Sequence, residues 1–264
     1  MSKRRVREQF TSSAEAYATS EIHAKGLSLE RLLELTRPQP EWQVLDVATG
    51  AGHTAVKFAP HVRQVVASDI TVRMLELTAS LARDKGLNNV VTAAADAEDL
   101  PFDDSSFDLI TCRVAAHHFP AVPDFMAESA RALRPGGFLA IVDNVVPGGY
   151  RHGKQAKRIQ GAARYINAFE ALRDPSHIRC LTLDGWQRNF YEAGFRLVKQ
   201  ETADKMLDFH DWAARMRVQP ADEIRLEAML RQAPAEVTDF LRPEFDKGRI
   251  RFRLEVALLI GRIE

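Results

Sequence analysis

The chain has 264 residues, 45% of them hydrophobic and 27% charged, enough to bury a full core in one large domain without disulfides or a structural metal. The 36 Lys and Arg balance 36 Asp and Glu, so a formal charge of zero argues against a dominant electrostatic grip on nucleic acid or anionic membrane. Two distant cysteines, Cys112 and Cys180, exclude a disulfide framework and a Cys-rich zinc site, and a reducing cytoplasm is the expected compartment. No run approaches the roughly 18 apolar residues of a membrane span, and the start MSKRRVREQF lacks the apolar stretch of a secretory signal.

In chain order, residues 8–20 read as a short helix and 21–36 as a longer one, with Ile22, Leu29, Leu32 and Leu33 at helical spacing. Pro38 and Pro40 stop it. A buried strand over 42–47 (WQVLDV) runs into a glycine-bearing turn, ATGAG, and a helix over 53–59. A second strand over 64–68 ends at Asp69, and Thr71 is placed to N-cap a helix reaching about Lys85, closed by Gly86. A third strand over 89–94 ends before Asp96, and a fourth covers 107–112. A helix over 123–133 is stopped by a Pro135-Gly136-Gly137 turn, and a fifth strand covers 138–143. Beyond Pro147 the pattern predicts an Arg-, Lys- and Gln-rich helix over 153–172 and a helix over 182–193 capped by Thr182 or Asp184. A sixth strand over 195–201, a helical insertion over about 207–246 and a last strand over 249–262 complete the chain. This alternation predicts an α/β fold with a mainly parallel sheet, one core carrying cap elements at 1–36, 148–175 and 207–246.

The turn after the first strand lets backbone approach a ligand, and the helix behind it offers free N–H groups. It lacks the third glycine of a dinucleotide fingerprint, position 55 being alanine. Asp46, just before the turn, would repel a diphosphate but suits a cationic or zwitterionic ligand. Asp69 stands where a carboxylate accepts from ribose hydroxyls, and Asp96-Ala97 where adenine is read. Any one of these acids is as readily a turn or cap residue; three at successive strand ends form a coordinated pattern.

The segments VLDVATGAG, VVASDIT, AADAEDLPFDDSSFDLITC and ALRPGGFLAIVD resemble the successive motifs of class I S-adenosylmethionine-dependent methyltransferases, over roughly residues 10–145. The chain is similar to their small-molecule branch, which includes the ubiquinone/menaquinone biosynthesis C-methyltransferases. CRVAAHHFP and LRDPSHIRCLTLDGWQRNF resemble a bacterial group within that branch. The resemblance implies a Rossmann-like seven-stranded sheet of order 3-2-1-4-5-7-6 with strand 7 antiparallel. It implies S-adenosyl-L-methionine as cofactor, with Asp46 near the methionine ammonium. Ala48, Gly50 and Gly52 would supply backbone contacts to the methionine and ribose parts, Asp69 would take the ribose hydroxyls and Ile70 would pack on adenine. Asp96 and Ala97 would read the adenine edge, and Cys112 and Arg113 would line the methionine side by backbone. Tyr17, Ser20 and His23 fall in the segment that closes over the cofactor in such enzymes.

Methyl transfer from a sulfonium needs chiefly an oriented, desolvated acceptor, and a base only where the acceptor loses a proton. His117 and His118, after the fourth strand, are the candidate catalytic residues, His117 preferred; a packed or capping pair is the plainer alternative. Asp143-Asn144 resembles part of a divalent-cation site of catechol-type O-methyltransferases, but Cys112-Arg113 stands where those enzymes carry another carboxylate, so no metal is expected. Cys112 reads as small packing rather than a nucleophile. Arg173 and His177 either belong to an ion-paired turn or touch a polar acceptor. Trp186, Phe190, Phe209 and Trp212 belong to the core, or else roof a pocket for an apolar or aromatic acceptor. Basic residues at 3–7 and 151–158 read as solvated faces. The expected protein is thus a methyltransferase acting on O, C or N of a small molecule, without nucleic acid or membrane, as a monomer or homodimer. A non-catalytic S-adenosylmethionine-binding module, an RNA methyltransferase and an NAD(P)-dependent oxidoreductase are the alternatives.

Overall fold

A computed structural model describes residues 3–18, 26–149 and 152–264, with the backbone alone for 12–18 and 27. Strand β1 (Gln43–Val47) lies at the centre of the sheet, and four of its five residues are buried because both faces are covered. It pairs in parallel with β2 (Gln64–Asp69) and β4 (Phe107–Arg113). Outward from these, β3 (Val90–Ala94) adds to β2 and β5 (Leu133–Val145) adds to β4, again in parallel. The last strand, β8 (Arg249–Ile263), lies antiparallel between β5 and β6 (Phe195–Asp208). The order is β3-β2-β1-β4-β5-β8-β6, so β8 takes the place of the expected antiparallel seventh strand. A short β7 (Glu244–Asp246), not expected from the sequence, pairs with β8.

Helices cover both faces. Helix α1 (Lys3–Ala18) starts before the expected residue 8 and lies against α4 (Val72–Asp84). On one face α2 (Leu27–Thr36) and α3 (His53–Phe58) bury Leu32, Ala55 and Phe58 against Val44, Val65 and Ala140. On the other, α5 (Val122–Ala132) and α7 (Leu183–Glu192) bury Phe125, Met126, Trp186 and Phe190. A third apolar cluster joins α6 (Gly153–Arg173), α8 (Phe209–Arg215), α9 (Pro220–Arg231) and α10 (Ala235–Leu241) to the first half of β8.

Several boundaries move for identifiable reasons. Pro135-Gly136-Gly137 is not a free turn but lies within β5, where the register slips from Phe107↔Leu133 to Leu109↔Phe138; the glycines absorb a bulge. Strand β6 runs on to Asp208, past the expected end at 201, because β8 pairs with it as far as Asp208↔Arg251. The 207–246 insertion is therefore three short helices and β7 behind a strand end, not one long helical stretch. Thr71 does occupy the N-cap position of α4, yet its buried hydroxyl makes no cap hydrogen bond; the Asp69 carboxylate accepts from the Thr71 amide at 2.8 Å instead.

Candidate active site

The turn after β1 is held by side chains that its own sequence supplies. Asp46 is buried, and its two oxygens accept from Thr49 Oγ1 at 2.6 Å and Thr111 Oγ1 at 2.7 Å. Burial pushes its carboxyl up to about 6, the two hydroxyls and Arg113 opposing the shift. Ala48, Gly50 and Gly52 all adopt left-handed backbone, at φ 52°, 57° and 84°. A Cβ at Gly52 would stand 2.7 Å from Thr78 Cγ2, so α4 packs directly on the turn. Thr78 Oγ1 also donates to the Gly50 carbonyl, while the Gly50 N–H donates to Asp69 at 2.9 Å. Burial raises the Asp69 carboxyl, against the pull of the Thr71 and Gly50 amides.

These groups line one cavity with about 110 Å³ of free space. Asp46, Ala48, Gly50, Asp69, Ile70, Asp96, Ala97 and Arg113 of the predicted set lie on its wall, together with Met74 and Thr54. Helix α1 projects Lys3, Val6 and Phe10 into it. The Lys3 ammonium pairs with Asp96 at 2.6 Å and Glu98 at 2.7 Å. Gly52 and Cys112 are absent from this wall: Gly52 faces Thr78, and Cys112 is fully buried in the core. The Arg113 side chain, expected to contribute only backbone, donates from Nε to Thr54 Oγ1 at 3.0 Å. His23 and Ser20 lie outside the described residues, and of Tyr17 only the backbone, in α1, is described.

The histidine pair divides in an unexpected way. Both belong to a 3-10 turn, Ala116–His118, and their rings lie 4.1 Å apart between centroids, yet they meet different partners. His118, not the preferred His117, lines the cavity, with Phe10 edge-on to its ring at 4.9 Å. Burial, then the neighbouring His117, pulls the His118 imidazole down to about 4. His117 turns inward: its backbone N–H donates to Asp143 at 2.8 Å, and its Nδ1 lies 2.6 Å from the other Asp143 oxygen. Burial lowers the His117 imidazole, but the Asp143 charge and hydrogen bond outweigh it and leave it raised. Asp143 therefore spends its oxygens on His117 and the Asn144 amide. Among the described residues no group of three or more His, Cys, Asp and Glu could hold a metal ion.

A second, roomier cavity of about 520 Å³ opens on the far side of Arg113 and Val114, which line both. Its other walls come from α2 (Ser28, Arg31), β6 (Glu201 to Met206) and β8 (Val256, Leu258). Val114 is β-branched yet sits at φ 56°, held by its N–H to Val142 O at 2.6 Å. Such a residue in left-handed backbone is strained, by about 1–2 kcal/mol. This cavity was not legible in the chain order, since its charged residues come from segments far apart.

Of the two places expected for the four aromatic residues, core or roof, they take the core: Trp186, Phe190, Phe209 and Trp212 are at most 2% exposed and line neither cavity. An apolar acceptor can no longer be argued from them. Arg173 donates to the Trp212 carbonyl at 2.9 Å and lies over its ring, while His177 meets Asn167 Oδ1 at 2.9 Å. Asp174 accepts from the Ser176 amide and hydroxyl, so this stretch is a tied turn.

A doubly wound sheet with acids at successive strand ends and a ligand cavity at their carboxyl edge defines a class of nucleotide-cofactor enzymes. Residues 45–141 match the family model for a methyltransferase domain. The Bacillus subtilis uncharacterized methyltransferase YcgJ is 38% identical over 181 residues, covering 69% of this chain and 68% of that one. Its crystal structure superposes with a TM-score of 0.83 at 32% identity, over 90% of this chain and 98% of that one. The Escherichia coli protein YafE is 36% identical over 66% of this chain and 81% of its own. A ubiquinone/menaquinone biosynthesis C-methyltransferase of Shewanella frigidimarina is 36% identical over 44% of this chain and 47% of its own. This chain belongs to the class I methyltransferase family. No helix among its described residues is long and apolar enough to cross a membrane.

Proposed function

We propose that the chain is an S-adenosylmethionine-dependent methyltransferase for a small organic acceptor, with the cofactor in the Asp46–Asp69 cavity and the acceptor in the cavity beyond Val114. The observation that carries this reading is the shared wall: Arg113 and Val114 line both cavities, and Val114 is held in a strained backbone at that point. The donor set fits the cofactor. Asp46 and Asp69 offer buried carboxylates for an ammonium and for hydroxyls, Ile70 and Met74 offer an apolar flank, and Gly50 leaves open space where a Cβ would stand.

When bound, S-adenosylmethionine supplies a methyl group already activated on a sulfonium. The chain's own residues then have to orient the acceptor and exclude water. His118, edge-to-face with Phe10 and mainly neutral at pH 7, acts as a wall. His117, tied to Asp143 by its backbone N–H and its Nδ1, lines neither cavity and acts by holding the turn that carries His118. The cap segments 1–36, 148–175 and 207–246 belong to the same domain, and among the described residues the first of them supplies walls to both cavities.

Calorimetry with S-adenosylmethionine, S-adenosylhomocysteine and NAD(H) tests the reading. Binding of the first two alone, weakened at least tenfold in Asp69→Ala, is the expected result. Binding of NAD(H) alone would sink it.

A further inference from the structure

Among the described residues every acid on the wall of the second cavity has a cation within ion-pair distance, but one ammonium there has no acid. The acids are matched as follows: Glu30 by Lys57, Glu34 and Glu201 by Arg31, and Asp204 by Arg253. Lys205, half-buried on β6 and in register with Leu254 of β8, makes no hydrogen bond or ion pair among the described residues. Its surroundings are mostly cationic. Burial, then Arg215 and Arg173, pulls its ammonium down to about 8, Glu170 on α6 partly opposing them. Glu170 is itself buried, with Oε1 lacking any partner, and its closest cation is Arg173 at 3.9 Å. An unmatched ammonium in a sheltered cavity is costly unless a ligand brings the missing anion.

We infer that this cavity takes a methyl acceptor bearing a carboxylate, which the Lys205 ammonium holds so that the reacting atom faces Arg113 and Val114. The inference rests on the methyltransferase reading above. A carboxylate gives the Lys205 ammonium the one charge-assisted partner that it lacks among the described residues. The floor of Val114, Val256 and Leu258 suits the hydrocarbon body of such an acid. Lys205 is thus a specificity residue, remote in sequence from every motif of the cofactor side.

Radiolabelled methyl transfer by the full chain tests this, with matched sets of small hydroxy and amino compounds, each supplied as the carboxylic acid, its primary amide and the corresponding amine. Turnover should favour the acids by at least about tenfold in kcat/KM. Lys205→Met should raise KM for the best acid roughly ten- to a hundredfold, as expected for a lost charge-assisted contact. It should leave kcat within a few-fold and the affinity for S-adenosylmethionine unchanged, and Lys205→Arg should recover most of the loss. Amides or amines used as well as acids, no acid methylated, or an unmoved KM in Lys205→Met would overturn the inference. Calorimetric binding of S-adenosylmethionine to the unaltered chain separates the two readings. Without binding the methyltransferase reading fails; binding without preference for acids removes this inference alone.

Discussion

The two cavities that meet at Val114 are built by different means. The first is made of backbone: three alternate left-handed positions, a glycine pressed on Thr78, and the Asp69 carboxylate that accepts from the amides of Gly50 and Thr71. The second is made of long side chains, Arg31, Arg113, Glu201 and Lys205, delivered from α2, β4 and β6. Backbone geometry admits few residue types, so a cofactor cavity of the first kind keeps a recognisable sequence. Long charged side chains reach one point from many positions, so a cavity of the second kind can change its ligand without changing the fold.

The strongest way to break this contrast is Gly52→Ala. Left-handed strain costs about 1–2 kcal/mol and overpacking against Thr78 a further 1–3 kcal/mol, so a loss of about 2–4 kcal/mol is expected in denaturant unfolding. Pairing the change with Thr78→Ala should return the packing part and leave the strain, which a double-mutant cycle resolves. A neutral Gly52→Ala would mean that backbone does not dictate the first cavity. An equivalent substitution in the second cavity, Met206→Ala at a half-exposed site, has no such cost to predict.

A smaller effect sharpens the electrostatic half of the comparison. Burial holds the Asp46 carboxyl at about 6 with no cofactor beside it. An ammonium placed there favours the ionised form, so the complex carries fewer protons than the free protein below pH 6. Affinity for S-adenosylmethionine should therefore be flat above about pH 6 and fall by up to about tenfold per unit below it. Calorimetry from pH 5 to 8 reads this directly; a flat profile would remove Asp46 from contact with the ammonium. Acid-form acceptors should show the opposite limb, weakening above about pH 8 as Lys205 loses its proton.

What could be read in the sequence follows the same division. The strand-end acids Asp46, Asp69 and Asp96 and the ATGAG turn were legible because their spacing is local and their geometry is fixed by the sheet edge. The choice between His117 and His118 was not, because a 3-10 turn decides which ring faces the cavity, and one residue's rotation reverses the answer. The end of β6 was not, because KQETADKMLD has no clean alternation and is a strand only through its pairing with β8. Lys205, inside that stretch, was invisible for the same reason.

Val114 tests where the two halves join, with the smallest expected change in stability. Glycine there would relieve about 1–2 kcal/mol of left-handed strain. It would also give up the burial of a half-exposed valine and add backbone freedom to the unfolded chain, at about the same total cost. Val114→Gly should therefore unfold within about 1 kcal/mol of the unaltered protein. Turnover should nevertheless drop, because the partition between cofactor and acceptor is no longer rigid and the reacting atoms lose their alignment. Binding of S-adenosylmethionine, which depends on Asp46, Asp69 and the turn, should change little. Stability kept with kcat lost places the strain in the service of methyl transfer; stability gained with kcat kept would make Val114 an accident of packing, and the shared wall would then carry no function.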